Sequence, residues 1–141
     1  MMAYPKELRA SEISQALKDL VYELGERLLS GATPIHAELR RQLSAARIDR
    51  VTLTGAGLYA DFALPPDLAP VEPREMIGGE VLLHIEGLDA AAGSLLKVKD
   101  GKLAFVEVYA YGNASFPDEP RVLSFGETFP LPISTGPANE R

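Results

Sequence analysis

At 141 residues, 46% of them hydrophobic and 24% charged, the chain has the size of one ordinary domain and enough apolar side chains for a core, so disorder of the whole chain is excluded. The lack of cysteine excludes a disulfide scaffold, a thiolate nucleophile, a cysteine zinc site and an iron–sulfur cluster together. With 14 basic and 20 acidic residues the formal charge is -6, opposite to the footprint of a phosphate-binding protein, so nucleic acid is not expected as a partner.

The opening Met1-Met2-Ala3-Tyr4-Pro5-Lys6-Glu7 has no basic region followed by an apolar stretch, and no apolar run approaches a membrane span. A cytoplasmic location without membrane contact is the expectation. Ile13, Leu17, Leu20, Val21, Leu24 and Leu28 then recur every three or four residues, which places them on one face of a helix. Gly31 stands where a left-handed residue would end it. Thr33-Pro34 reads as an N-cap and first helical position, with Ile35, Leu39 and Leu43 following at intervals of four. The short connection predicts a helical hairpin. His36, in the first turn of the second helix, is expected in solvent.

From Val51 the period becomes two, with Leu58, Ala60, Phe62 and Leu64 alternating with Tyr59, Asp61 and Ala63. Gly55 and Gly57 interrupt the first half and predict a bulge or a hairpin bend. Pro65 to Gly79, with four prolines, reads as a long stiffened connection. Val81, Leu83 and Ile85 alternate with Leu82, His84 and Glu86 in the next strand. Leu95 to Lys99 and Lys102 to Tyr111 flank Asp100-Gly101, a dipeptide suited to a type I′ hairpin turn. That turn sets Lys99 opposite Lys102, Val98 opposite Leu103 and Leu96 opposite Phe105. Glu107 and Tyr109 then share the apolar face, so either this strand is central or a bulge between Phe105 and Glu107 switches the parity. Val122 to Phe125 predicts a short edge strand, and 126–141, rich in proline, a tail.

These elements predict a single α+β domain over 1–125: an N-terminal helical hairpin packed on a mostly antiparallel sheet of about four or five strands. Its expected core contains Ile13, Leu17, Val21, Leu24, Leu39, Leu43, Leu58, Phe62, Leu83, Ile85, Leu96 and Val98.

Candidate chemistry is sparse. Two histidines without an HExxH or HxH pattern give no metal site, and no cofactor is implied. His84 shares a strand face with Glu86, and Tyr59 and Asp61 can line the same side of a neighbour, an arrangement from which a general base with an orienting acid could be built. The plainer reading is the solvent face of an antiparallel sheet. Glu86 and Glu107 suggest a carboxylate pair for glycoside chemistry, but Glu107, among Val106, Val108 and Tyr109, is as well explained by a structural role. Thr54-Gly55-Ala56-Gly57 lacks the lysine and helix of a phosphate loop, and no GxSxG elbow occurs.

Charge is unevenly distributed: residues 1–50 hold 8 Lys or Arg and 7 Asp or Glu, which leaves 6 and 13 for residues 51–141. Such an acidic strand half suits a basic protein partner. The stretch from Lys99 to Gly112, then Phe116-Pro117-Asp118, resembles a hairpin pattern of small uncharacterised bacterial proteins, some of which look like toxin-neutralising immunity proteins. Gly101, Leu103, Glu107, Tyr111 and Pro117 are its pattern positions. The resemblance brings no established activity and gives none of these residues a catalytic role. The expected function is therefore a non-enzymatic, immunity-like binder of a basic protein. The alternative is a small-ligand or hydrolase-like site on the open sheet face, built from Tyr59, Asp61, His84, Glu86, Glu107 and Tyr109.

Overall fold

A computed structural model describes residues 3–112 and 114–133. The chain forms β1 (Lys6–Arg9), one 3-10 turn (Ala10–Glu12), α1 (Gln15–Leu28), α2 (Pro34–Ala45), β2 (Arg47–Leu53), β3 (Gly57–Ala63), β4 (Met76–Gly78), β5 (Glu80–Ile85), β6 (Gly93–Lys99), β7 (Lys102–Tyr109) and β8 (Val122–Phe129). Among the described residues no helix is long and apolar enough to cross a membrane.

Both helices start as their sequences dictate. Ser14 accepts from the backbone N–H of Leu17, and Thr33 from that of His36, ahead of Pro34 in the first turn. The α1 stripe Leu17, Leu20, Val21, Leu24 and Leu28 is buried, together with Leu39 and Leu43 of α2. The helices meet where Gly25 faces Leu43; a Cβ on Gly25 would lie 3.0 Å from the Leu43 side chain. Gly31 does not have the left-handed backbone expected of it. Its missing side chain makes room for the His36 ring, which a Cβ would overlap at 2.2 Å. The end of α1 is closed instead by Arg40, which donates to the carbonyls of Leu29 and Gly31.

Every strand pairing is antiparallel. Six strands form one sheet in the order β1-β2-β3-β7-β6-β4, and β5 pairs with β8. Gly78 and Gly79, at φ +141° and +76°, kink the chain between β4 and β5. Beyond the kink β5 stays beside β6: the Ser94 hydroxyl donates to the Val81 carbonyl and accepts from its N–H, and Leu83 pairs with Ala92. The two sheets are thereby joined along β6, and β8 closes the far edge.

The helices cover one face. Twelve core residues were expected, and all are buried except Phe62, which is half-buried. The α+β class and antiparallel pairing hold, but the sheet is larger than four or five strands. A strand, β1, also precedes the helices, so the chain does not open on them. The interruption at Gly55 and Gly57 is the β2–β3 hairpin bend. Asp100 and Gly101 both have positive φ (55° and 77°), as a type I′ turn requires, and Lys99 faces Lys102.

The register beyond that turn differs from expectation. Val98 faces Leu103, but Lys97 faces Phe105 and Leu96 faces Val106, so Ala104 is an extra residue on β7. Both alternatives are realised in part: β7 is central, between β3 and β6, and the parity also switches, but two residues before the position between Phe105 and Glu107. The switch turns Val106 and Val108 into the core and Phe105, Glu107 and Tyr109 onto the other face. At the C-terminal end, β8 runs through Gly126 to Phe129 and Leu131 is buried, so the segment expected as a tail from 126 is structured as far as 133. Residues 134–141 of that expected tail lie outside the described residues.

Candidate functional site

The face of the sheet turned away from the helices is built by pleat parity. Tyr59 pairs with Glu107, Asp61 with Phe105 and Gly57 with Tyr109 across β3 and β7, so alternate residues of both strands stand side by side on the outside. Tyr59 and Phe105 meet edge to face with ring centroids 5.4 Å apart. Beside them, Arg50 of β2 reaches Asp61 at 2.9 Å and Glu7 at 3.7 Å.

Further along β7, Tyr109 lies over Gly93, where a Cβ would come within 2.6 Å of its ring. The glycine leaves the space that the aromatic fills. Tyr109 and Tyr111 pack edge to face at 5.6 Å, and both hydroxyls donate to Glu80 Oε2, at 3.3 Å and 2.6 Å. These phenols are held protonated. Burial, then hydrogen bonding with Tyr111 and the Glu80 charge, pushes Tyr109 well above the usual phenol range. Tyr111 is raised first by its bond to Glu80. Tyr59 is raised by burial and by its hydrogen bond and proximity to the Glu107 carboxylate.

Four of the six sequence-derived site residues, Tyr59, Asp61, Glu107 and Tyr109, thus share one face on adjacent strands. His84 and Glu86 do not join them. His84 lies on β5 and Glu86 in the turn just after it, with β7 and β6 between β5 and β3 at about 4.8 Å per strand. His84 is exposed opposite Ser124, and Glu86 points toward Arg121, 3.8 Å away. The Pro65–Gly79 connection does not bring them together either. Val71 N–H donates to the Gly101 carbonyl and Gly101 N–H to that of Arg74, tying the connection to the β6–β7 turn. Nor does Glu86 approach Glu107, since Glu86 follows β5 and Glu107 stands on β7, with β6 between the two strands. Among the described residues no group of three or more His, Asp or Glu could hold a metal ion.

Three residues that sequence reasoning passed over complete the face. Phe105, Glu80 and Tyr111 belong to it, and Tyr111 is 47% exposed. Phe105 was hidden by the Ala104 bulge. Glu80 was hidden by the Gly78-Gly79 kink that begins β5.

His36 corrects the expectation of a solvated side chain, being only 5% exposed. Its Nδ1 lies 2.8 Å from the Thr33 hydroxyl and its Nε2 2.7 Å from the Leu131 carbonyl. Nε2 donates to the Leu131 carbonyl, and Nδ1 shares a hydrogen bond with the Thr33 hydroxyl. His36 is a latch that holds the segment after β8 onto α2.

Compared with protein-family models, curated proteins and solved structures, the chain finds no match.

Proposed function

We propose that this chain is a non-enzymatic interaction domain, immunity-like in kind, whose open sheet face binds a basic protein. The observation that carries the reading is the set of tyrosine–carboxylate contacts on that face, Tyr59 with Glu107 and Tyr109 and Tyr111 with Glu80. They lie in the strand half, where 13 acidic residues stand against 6 basic ones.

The chemistry is that of a lysine or arginine receptor. A guanidinium or ammonium gains from the negative face of an aromatic ring and from a carboxylate beside it. Here Tyr109 and Tyr111 donate to the Glu80 carboxylate and so fix it before a partner arrives. Preorganisation of this kind lowers the ordering cost of association. Val106 and Val108 are buried on the other side of the sheet behind the site.

The test is a titration of isotope-labelled protein with an octa-arginine peptide, followed by NMR. Amide shifts are expected to concentrate at Tyr59, Glu107, Tyr109, Tyr111 and Glu80 and to saturate. The combined Glu80→Gln and Glu107→Gln variant, which keeps the hydrogen-bond acceptors and removes the charges, is expected to bind about tenfold more weakly. Shifts spread evenly over all acidic residues, or unaltered affinity in the variant, would overturn the proposal.

A further inference from the structure

At the far edge of the sheet, α1 and β8 do not close on each other and leave an open groove of about 510 Å³. That volume is within the range of sites that take a compact ligand or side chain. Leu20, Val122 and Phe125 form its apolar floor, and Asp19, Glu23 and Glu119 stand on its rim.

The protein already carries one example of the chemistry this groove accepts. The Arg27 guanidinium lies 4.0 Å over the Phe125 ring while its Nε donates to Glu23 at 2.7 Å. Asp19 and Glu119 accept instead from neutral donors, Gln15 Nε2 and the Ser14 hydroxyl, both at 2.8 Å. Those bonds orient the two carboxylates without cancelling their charge. Arg121, also at the rim, reaches toward Glu86 at 3.8 Å.

We infer that the groove anchors the basic partner: an apolar side chain of the partner enters between α1 and β8, and flanking Lys or Arg residues meet Asp19 and Glu119. This inference rests on the proposed function and adds a second contact point to it. The occupant docks by side chains and not by adding a strand. Ile85 faces Val122, His84 faces Ser124, Leu83 faces Phe125 and Val81 faces Thr128, which leaves β8 with bulges at Leu123 and at Gly126-Glu127. Bulges so close together interrupt the ladder that strand addition needs.

The experiment uses two heptapeptides, Lys-Arg-Leu-Phe-Leu-Arg-Lys and the same peptide with its three apolar residues replaced by serine, together with octa-arginine. The apolar peptide is expected to bind about tenfold more tightly than the serine peptide and to shift the amides of Leu20, Glu23, Val122 and Phe125. Ala16→Phe, at an exposed α1 position on the groove wall, is expected to abolish that advantage while octa-arginine binding is unchanged. Equal affinity of the two heptapeptides, or shifts confined to the open face, would overturn the groove and leave the proposed function standing. Failure of all three peptides to bind would overturn both.

Discussion

Gln42 is 3% exposed and joins three parts of the chain that are far apart in sequence. Its Oε1 accepts from Leu103 N–H at 2.9 Å, and its Nε2 donates to the carbonyls of Gly101 and Ala69 at 3.1 Å and 3.3 Å. Gln42→Leu keeps the bulk and removes all three bonds. The Gly101 carbonyl retains Val71 N–H at 2.9 Å, and Ala69 is exposed, so neither acceptor costs much. Leu103 N–H, on a buried residue, is orphaned, which costs about 1–3 kcal/mol. The added apolar burial offsets part of this, leaving an expected loss of about 1–2 kcal/mol. Gln42→Ala adds a cavity and raises the loss to about 2–4 kcal/mol.

Gln42→Glu separates hydrogen bonding from packing. Burial raises the folded-state pKa of the new carboxyl above its unfolded value. The linked stability is therefore fully present below the unfolded pKa and is lost as pH rises through the folded pKa. The difference from wild type should be small below the unfolded carboxyl value of about 4.3 and large near neutrality. Urea unfolding of the four proteins at both pH values measures this. A neutral or stabilised Gln42→Leu, or a pH-independent Gln42→Glu, would refute the clamp.

His36→Ala is expected to lose about 2–4 kcal/mol and to speed amide exchange of Leu131, whose N–H is held by the Leu28 carbonyl at 2.7 Å. Exchange faster only within α2 would contradict the latch. Gly57→Ala would place a Cβ 2.0 Å from the Val108 carbonyl oxygen, so thermal unfolding should show a loss of about 3 kcal/mol or more, against a wild-type-like melt if β3 and β7 were less closely apposed. Tyr59, Tyr109 and Tyr111 all have raised pKa values, so their stabilising contribution is complete below the unfolded phenol value of about 10 and is lost as pH rises through the folded values. Ultraviolet titration should show these phenols resisting ionisation until the protein unfolds. Reversible ionisation near pH 10 without unfolding would contradict the site.

The elements that were legible in the sequence are those specified locally. The α1 stripe, the Thr33-Pro34 start and the Asp100-Gly101 turn each depend on a few neighbouring residues, and each was placed by them. β1, Lys6–Arg9, is polar and only four residues long, and it is a strand because Leu8 finds Val51 across the ladder. β4 is three residues at the end of a proline-rich connection and depends in the same way on β6. Bulges at Ala104, Leu123 and Gly126-Glu127 break period two, so alternation misassigned Phe105 and ended β8 too early. His36 was misread because its partner, Leu131, is 95 residues away. For the site, parity placed Tyr59 with Asp61 and Glu107 with Tyr109. Only the strand order β3-β7-β6 shows that these pairs are neighbours and that His84 stands apart.

Recruitment of a basic partner by the carboxylates of the open face is a salt-dependent event. Its most direct measurement is the affinity of the full chain for octa-arginine as sodium chloride rises from about 20 to about 200 mM, set beside the variant carrying Glu80→Gln and Glu107→Gln. Wild-type affinity is expected to fall by about tenfold or more, the variant to start weaker and fall less, and octa-glutamate not to bind. An affinity insensitive to salt, or the same salt dependence in the variant, would contradict it.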